Sequence, residues 1–283
     1  MAEEITDATW VAGLLALCGP ELGGAVIASE VAEDFIAALN AAGTAPLRTV
    51  SSSMSADALT GTIDLAATLA LGRPIQTEGL LTTHPRLLVR RAERLDAACT
   101  SLMAAAFDRQ ALLLLAVMDP HDPESVLAAK LEERLPFRVE GQAARYWSAA
   151  MIASARARLG VQAIAPKLLG DLCHAALAIG ITSPRAVVQA VTAARGIAAL
   201  QGAALGEAEV AIAARLVLAH RALYAPAPEQ QEEDQPSPQK PDAGSDEQNT
   251  SQNPAEAEVI LEAVKAALPR GTGTPNPRKT SLA

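Results

Sequence analysis

The chain has 283 residues, half of them hydrophobic but only 2% aromatic, so its core must be aliphatic and alanine-rich, a composition that favours closely approaching helices. Lys and Arg number 23 against 32 Asp and Glu, a net charge of −9, which excludes nucleic-acid binding by the chain as a whole because phosphates need a basic face. Three scattered cysteines (Cys18, Cys99, Cys173) exclude a disulfide framework and point to a reducing, cytoplasmic setting, while the lack of a basic leader or an apolar run of about eighteen residues speaks against secretion and membrane spanning.

After Gly23-Gly24, residues 25–28 (Ala-Val-Ile-Ala) read as a buried strand, and 30–42 carry a helical pattern. Leu87-Leu88-Val89 reads as a second strand, 92–107 as a helix, and 112–117 as a third strand. Strands alternating with helices predict a parallel α/β sheet over residues 1–140. From 141 to 225 the pattern is helical throughout: 146–159, 166–179, 183–201 and 207–222, broken at Gly160, Gly180 and Gly202. The fold class is thus an α/β parallel-sheet domain followed by a helical lid bundle.

Residues 226–253 hold seven acidic side chains against one basic, five prolines, and no Val, Ile, Leu, Met or aromatic residue. That composition cannot offset chain entropy by burial and predicts a disordered acidic linker. A short amphipathic helix is expected at 254–268, capped by Asn253 and started by Pro254, with Ala257, Ile260, Leu261, Val264 and Leu268 on one stripe. Residues 269–283 read as a flexible tail.

A sheet followed by a lid suggests an AAA+ ATPase, so the phosphate loop G-x-x-x-x-G-K-[ST] is the first test. None of the five lysines follows a glycine, and the segment after the first strand reads Ser29-Glu30-Val31-Ala32-Glu33-Asp34, whose three carboxylates would repel phosphate. No metal site is predicted either, since His84, His121 and His220 are scattered, and Cys173-His174 do not make a nucleophile and base because neighbours on a helix diverge. Arg86, Arg90, Arg91 and Arg94 make the densest basic cluster.

At this point the sequence resembles the D subunit of magnesium chelatase. The residues that carry the resemblance are Gly23-Gly24-Ala25-Val26-Ile27, the stretch from Asp64 to Pro74 with Gly79-Leu80-Leu81, Leu87-Leu88-Val89 with Ala92-Glu93-Arg94-Leu95, and, in the second half, Ser183-Pro184-Arg185-Ala186, Ala193-Ala194-Arg195 and Ala213-Ala214-Arg215. The resemblance implies a degenerate AAA+ subunit. Where the hydrolytic paralogue has an Asp-Glu pair for Mg²⁺ and water, this chain has Arg90 and Arg91, and the sensor-1 position is Asp119. Arg134 matches an arginine finger acting in trans on a neighbouring subunit, and Arg185 matches a vestigial sensor-2 residue of the chain's own nucleotide site.

The family's integrin-type domain, with its D-x-S-x-S motif, has no counterpart in this sequence. What the resemblance implies is a scaffold subunit of a ligase that forms nitrogen–metal bonds: an oligomeric ring with the I subunit, a connection to the porphyrin-binding H subunit, and ATP-driven insertion of Mg²⁺ into protoporphyrin IX for (bacterio)chlorophyll in photosynthesis. The complex would use ATP and Mg²⁺; this chain would hold no cofactor tightly and would not hydrolyse ATP. The alternative is an inactive AAA+ adaptor of a MoxR-like chaperone system.

Overall fold

The computed structural model describes residues 5–109, 112–122, 125–143 and 145–224. In chain order these form α1 (Asp7–Leu22), β1 (Gly24–Ala28), α2 (Ala32–Ala41), β2 (Arg48–Ser51), α3 (Ala56–Thr60), α4 (Leu65–Leu71), α5 (Leu80–Thr83), β3 (Arg86–Arg90), α6 (Ala97–Arg109), β4 (Leu113–Met118), α7 (Ala129–Glu132), β5 (Phe137–Val139), α8 (Ala149–Leu159), α9 (Pro166–Ala178), α10 (Pro184–Gln201) and α11 (Glu207–Leu218). The predicted linker, terminal helix and tail from 226 onward lie outside the described residues.

The strands make one sheet in the order β2-β3-β4-β1-β5, parallel throughout. Alternation along the central strand divides the interior into two cores. Leu113, Leu115 and Val117 of β4 point into a core shared with α1, α2 and the helices of the second half. Leu114, Ala116 and Met118 point the other way, onto Cys99, Met103, Ala104 and Ala106 of α6 together with Leu131 and Leu135. Sheet and lid therefore share a core, and α1 is the element that joins them. Alanine and glycine make that join close: a methyl at Gly196 of α10 would fall 2.5 Å from Leu14 Cδ2 of α1. Trp147 donates its indole N–H to the Thr9 carbonyl at 2.7 Å and stacks, tilted, on Trp10.

Two expectations need correcting. The stretch 92–107 is not one helix: a 3-10 turn at Ala92–Arg94 ends at Leu95, and Asp96 restarts the chain by accepting the Cys99 N–H at 2.6 Å, as an N-cap does. The helix expected from 146 begins at Ala149, where the Ser148 hydroxyl caps the Met151 N–H.

Candidate functional site

In open parallel sheets ligands sit outside the carboxyl ends of the strands, where the strand order reverses. Here that place is the end of β1 beside β4, and the connection to α2 is only Ser29-Glu30-Val31. It folds back on itself. The Ser29 N–H donates to the Met118 carbonyl at 2.8 Å and the Val31 N–H to the Ala28 carbonyl at 3.2 Å, so two of the amides that would cradle a phosphate are already engaged. Glu30 pairs with His121, and Glu33 holds Arg90 at 2.5 Å. Arg91 takes the left-handed conformation at φ 57° and turns toward Glu93, while Asp119 accepts the His121 N–H at 3.0 Å.

The space among Ser29, Arg90, Arg91 and Asp119 is about 180 Å³, below the range that holds a drug-sized ligand. A Mg²⁺-bound triphosphate needs a lysine, a hydroxyl and a carboxylate facing the metal. These residues do not fit it: the space holds no lysine, and the cations at the end of β3 are paired with Glu33 and Glu93.

The opposite edge of the sheet has the contrary character. Arg134 lies in the turn between α7 and β5, at the amino end of β5. Its backbone touches the entrance to β1, because a Cβ on Gly23 would sit 2.5 Å from the Arg134 carbonyl oxygen. β4 spans six residues, so this edge is about 20 Å from the strand ends described above. Arg134 Nη1 donates to the Lys130 carbonyl at 2.7 Å and Nη2 to Asp108 Oδ2 at 2.6 Å; the side chain is 14% exposed.

Arg185, in the first turn of α10, donates through Nη2 to the other oxygen of the same carboxylate, Asp108 Oδ1, at 3.1 Å, and lies 3.9 Å from Glu133. The two arginines that the sequence separated into two roles thus meet on one aspartate. A role for Arg185 at the chain's own site, the expectation drawn from the resemblance, has no geometric support, because α10 delivers it to the far edge. Arg134 bonding holds the Asp108 carboxyl below the usual carboxylate range, with Arg185 adding to the effect.

The helices behind brace this edge. Gln189 Nε2 donates to the Arg134 carbonyl at 3.1 Å; Arg221 donates to Gln189 Oε1 at 3.0 Å and to the carbonyls of Glu132, Glu133 and Leu135 at 3.1–3.4 Å. Burial lowers the pKa of Arg221. Asp108, Gln189 and Arg221 were not legible as site residues, because their partners lie 26 to 89 positions away.

His220, beside Arg221, is pushed down to about 3, first by burial and then by the charges of Arg221 and Arg138. In the unfolded chain it titrates near 6.5, so between pH 6.5 and 3 the unfolded state binds a proton that the folded state refuses. Stability is then whole above pH 6.5 and falls as pH drops through that window, by about 1–2 kcal/mol at pH 5 for a partly buried ring. Melting temperature against pH should decline from 7 to 5 more steeply for the native chain than for His220→Asn; parallel curves would show that His220 does not carry the loss.

Among the described residues no group of three or more His, Cys, Asp or Glu side chains comes together as a metal site, and no helix is long and apolar enough to cross a membrane. Cys173 is half-buried and His174 exposed, without a mutual bond. The basic cluster is dispersed by β3, which puts Arg86 at one edge of the sheet and Arg90 at the other.

The AAA lid domain family matches residues 170–241. The chain is 33% identical over 237 residues to the magnesium-chelatase 60 kDa subunit of Cereibacter sphaeroides, covering 79% of this chain and 42% of that one. It is 32% identical over 185 residues to the subunit of the same name from Rhodobacter capsulatus, covering 62% and 33%. The chain spans less than half the length of these relatives. In three dimensions it resembles a crystal structure of a Cytophaga hutchinsonii protein assigned as an ATPase, with a TM-score of 0.57 over 76% of this chain and 82% of that one at 12% identity, a likeness of fold alone. The resemblance carried by the glycine, β3 and lid motifs is shown by the sequence matches, and the AAA-type sheet with its helical lid by the structure.

Proposed function

We propose that this homologue of the magnesium-chelatase D subunit is a non-hydrolysing ring subunit of such a chelatase, supporting ATP-driven insertion of Mg²⁺ into protoporphyrin IX on the way to (bacterio)chlorophyll. One observation carries the reading: Arg134 and Arg185 meet on one exposed carboxylate at the amino ends of the strands, away from the strand ends that lack a phosphate loop. The strand ends, where an AAA+ subunit holds its own nucleotide, are short, acidic and internally paired. The other edge gathers Arg134 and Arg185, cations suited to another subunit's triphosphate.

An arginine acting in trans needs no nucleotide in its own subunit; it stabilises charge developing on the neighbour's γ-phosphate. The neighbour in this reading is the I subunit, which would hydrolyse the ATP, and the chain would link it to the porphyrin-binding H subunit. Arg185 then belongs to the same face as Arg134. The lid contacts from Gln189 and Arg221 hold the turn that carries Arg134, so this cation rides on a braced segment rather than a free loop.

The test is reconstitution with I and H subunits, using the chain as it stands and the chain joined to the remaining C-terminal part of a relative. Magnesium-porphyrin formation should depend on the added chain, and the I subunit should be retained on it more strongly with ATP than without. No retention and no chelation in either form would remove the reading and leave the chaperone-adaptor alternative.

A further inference from the structure

Asp108 has a position that its own helix does not explain. It is the penultimate residue of α6, in the last turn, where the helix dipole disfavours a carboxylate. Its two oxygens are divided between two guanidinium groups, Arg134 on Oδ2 and Arg185 on Oδ1. Arg134 is thereby immobilised: one terminal nitrogen is on Asp108, the other on the Lys130 carbonyl, and its Nε is buried without an acceptor. In this arrangement Arg134 is held back from a neighbouring subunit, because each terminal nitrogen already donates one N–H within the chain and the side chain is only 14% exposed.

We propose that Asp108 is a latch: in the free subunit its carboxylate holds Arg134 and Arg185 together, and the polyphosphate of a neighbouring subunit's nucleotide displaces it on assembly. The proposal rests on the reading that this edge faces a neighbour's nucleotide.

The shared carboxylate offsets the repulsion between two guanidinium groups and lets them wait side by side. A triphosphate offers more charge and more acceptor atoms than one carboxylate, including an acceptor for the unsatisfied Nε. The exchange is possible because Asp108 is on the surface, with its side chain 45% exposed and Arg185's 38%. Of the charged groups facing one another here, Arg134, Arg185 and Arg221 stand against Asp108, Glu132 and Glu133, so neutralising Asp108 raises the net charge from zero to one positive.

The experiment titrates sodium tripolyphosphate into the full ¹⁵N-labelled chain at low salt, following the arginine Nε–H signals. Asp108→Asn is near-isosteric at an exposed position and should keep the fold; Asp108→Ser is the second variant, and melting curves check both. Removing one unit charge about 5 Å from the anion should tighten tripolyphosphate binding about fourfold or more in both variants. The double substitution Arg134→Ala with Arg185→Ala should abolish the response, which separates this edge from any other anion contact.

Equal or weaker binding by Asp108→Asn and Asp108→Ser would overturn the latch and leave Asp108 as a support for the arginines. No I subunit is present, so this outcome is independent of the trans reading: near-normal chelation by Arg134→Ala would remove that reading while tighter binding by Asp108→Asn still stood.

Discussion

Arg134→Ala should lower chain-dependent magnesium-porphyrin formation by about a thousandfold in a reconstituted complex, the lower end of what arginine fingers contribute to phosphoryl transfer. The loss is expected in turnover rather than assembly, because one rim arginine rarely dominates an interface. Arg134→Lys should recover little: a lysine keeps the charge but not the planar fork that bridges two oxygens. It would also surrender the paired contacts to the Lys130 carbonyl and Asp108 that fix the side chain now. Arg185→Ala should lose turnover as well, since the same carboxylate places it on the same face. Near wild-type chelation by Arg134→Ala, with the variant folded and bound to the I subunit, would return Arg134 to the role of a structural cation.

Gly24→Ala should strongly destabilise the sheet. Gly24 opens β1 at φ 145°, in a region that residues with a side chain scarcely enter, and a Cβ there would lie 1.8 Å from the Leu114 carbonyl oxygen of β4. That oxygen is backbone in the strand registered directly opposite, so the contact is relieved only by parting β1 from β4. Strain at such a φ and overpacking each cost about 1–3 kcal/mol, and together they take much of a stability of about 5–15 kcal/mol. Chemical denaturation should show a loss of about 3 kcal/mol or more, or no soluble folded chain. A loss under about 1 kcal/mol would mean that β1 does not pair with β4 in this register.

What could be read in advance followed burial. The three inner strands were legible because parallel strands covered on both faces are continuous apolar runs: Ala-Val-Ile-Ala, Leu-Leu-Val and Leu-Leu-Leu-Ala-Val. The outer strands were not. β2 buries only Val50 and β5 has three residues, so neither leaves a run. α1 was also missed, for the opposite reason: it is buried almost all round, from Trp10 and Leu14 to Cys18, and so has no polar face to give a helical period.

The missing phosphate-loop lysine was legible from single positions and needs no third dimension, while Arg90 and Arg91 took their meaning from the resemblance. Arg134 and Arg185 could be named by the resemblance but not placed. Their meeting on Asp108 depends on α6 and α10 ending at one edge of the sheet, with partners 26 and 77 residues apart. Local spacing holds no trace of that.

The claim that this subunit works through its neighbour rather than at its own strand ends meets its most direct test in nucleotide binding by the chain alone. Titration of MgATP into the purified full chain should give no saturable heat at nucleotide concentrations up to about a millimolar, the upper end of ordinary enzyme–substrate affinities. Phosphate release should stay at background as well. A stoichiometric site in the micromolar range, lost when Ser29 or Arg91 is replaced but kept in Arg134→Ala, would contradict the account and put a working nucleotide site back at the end of β1.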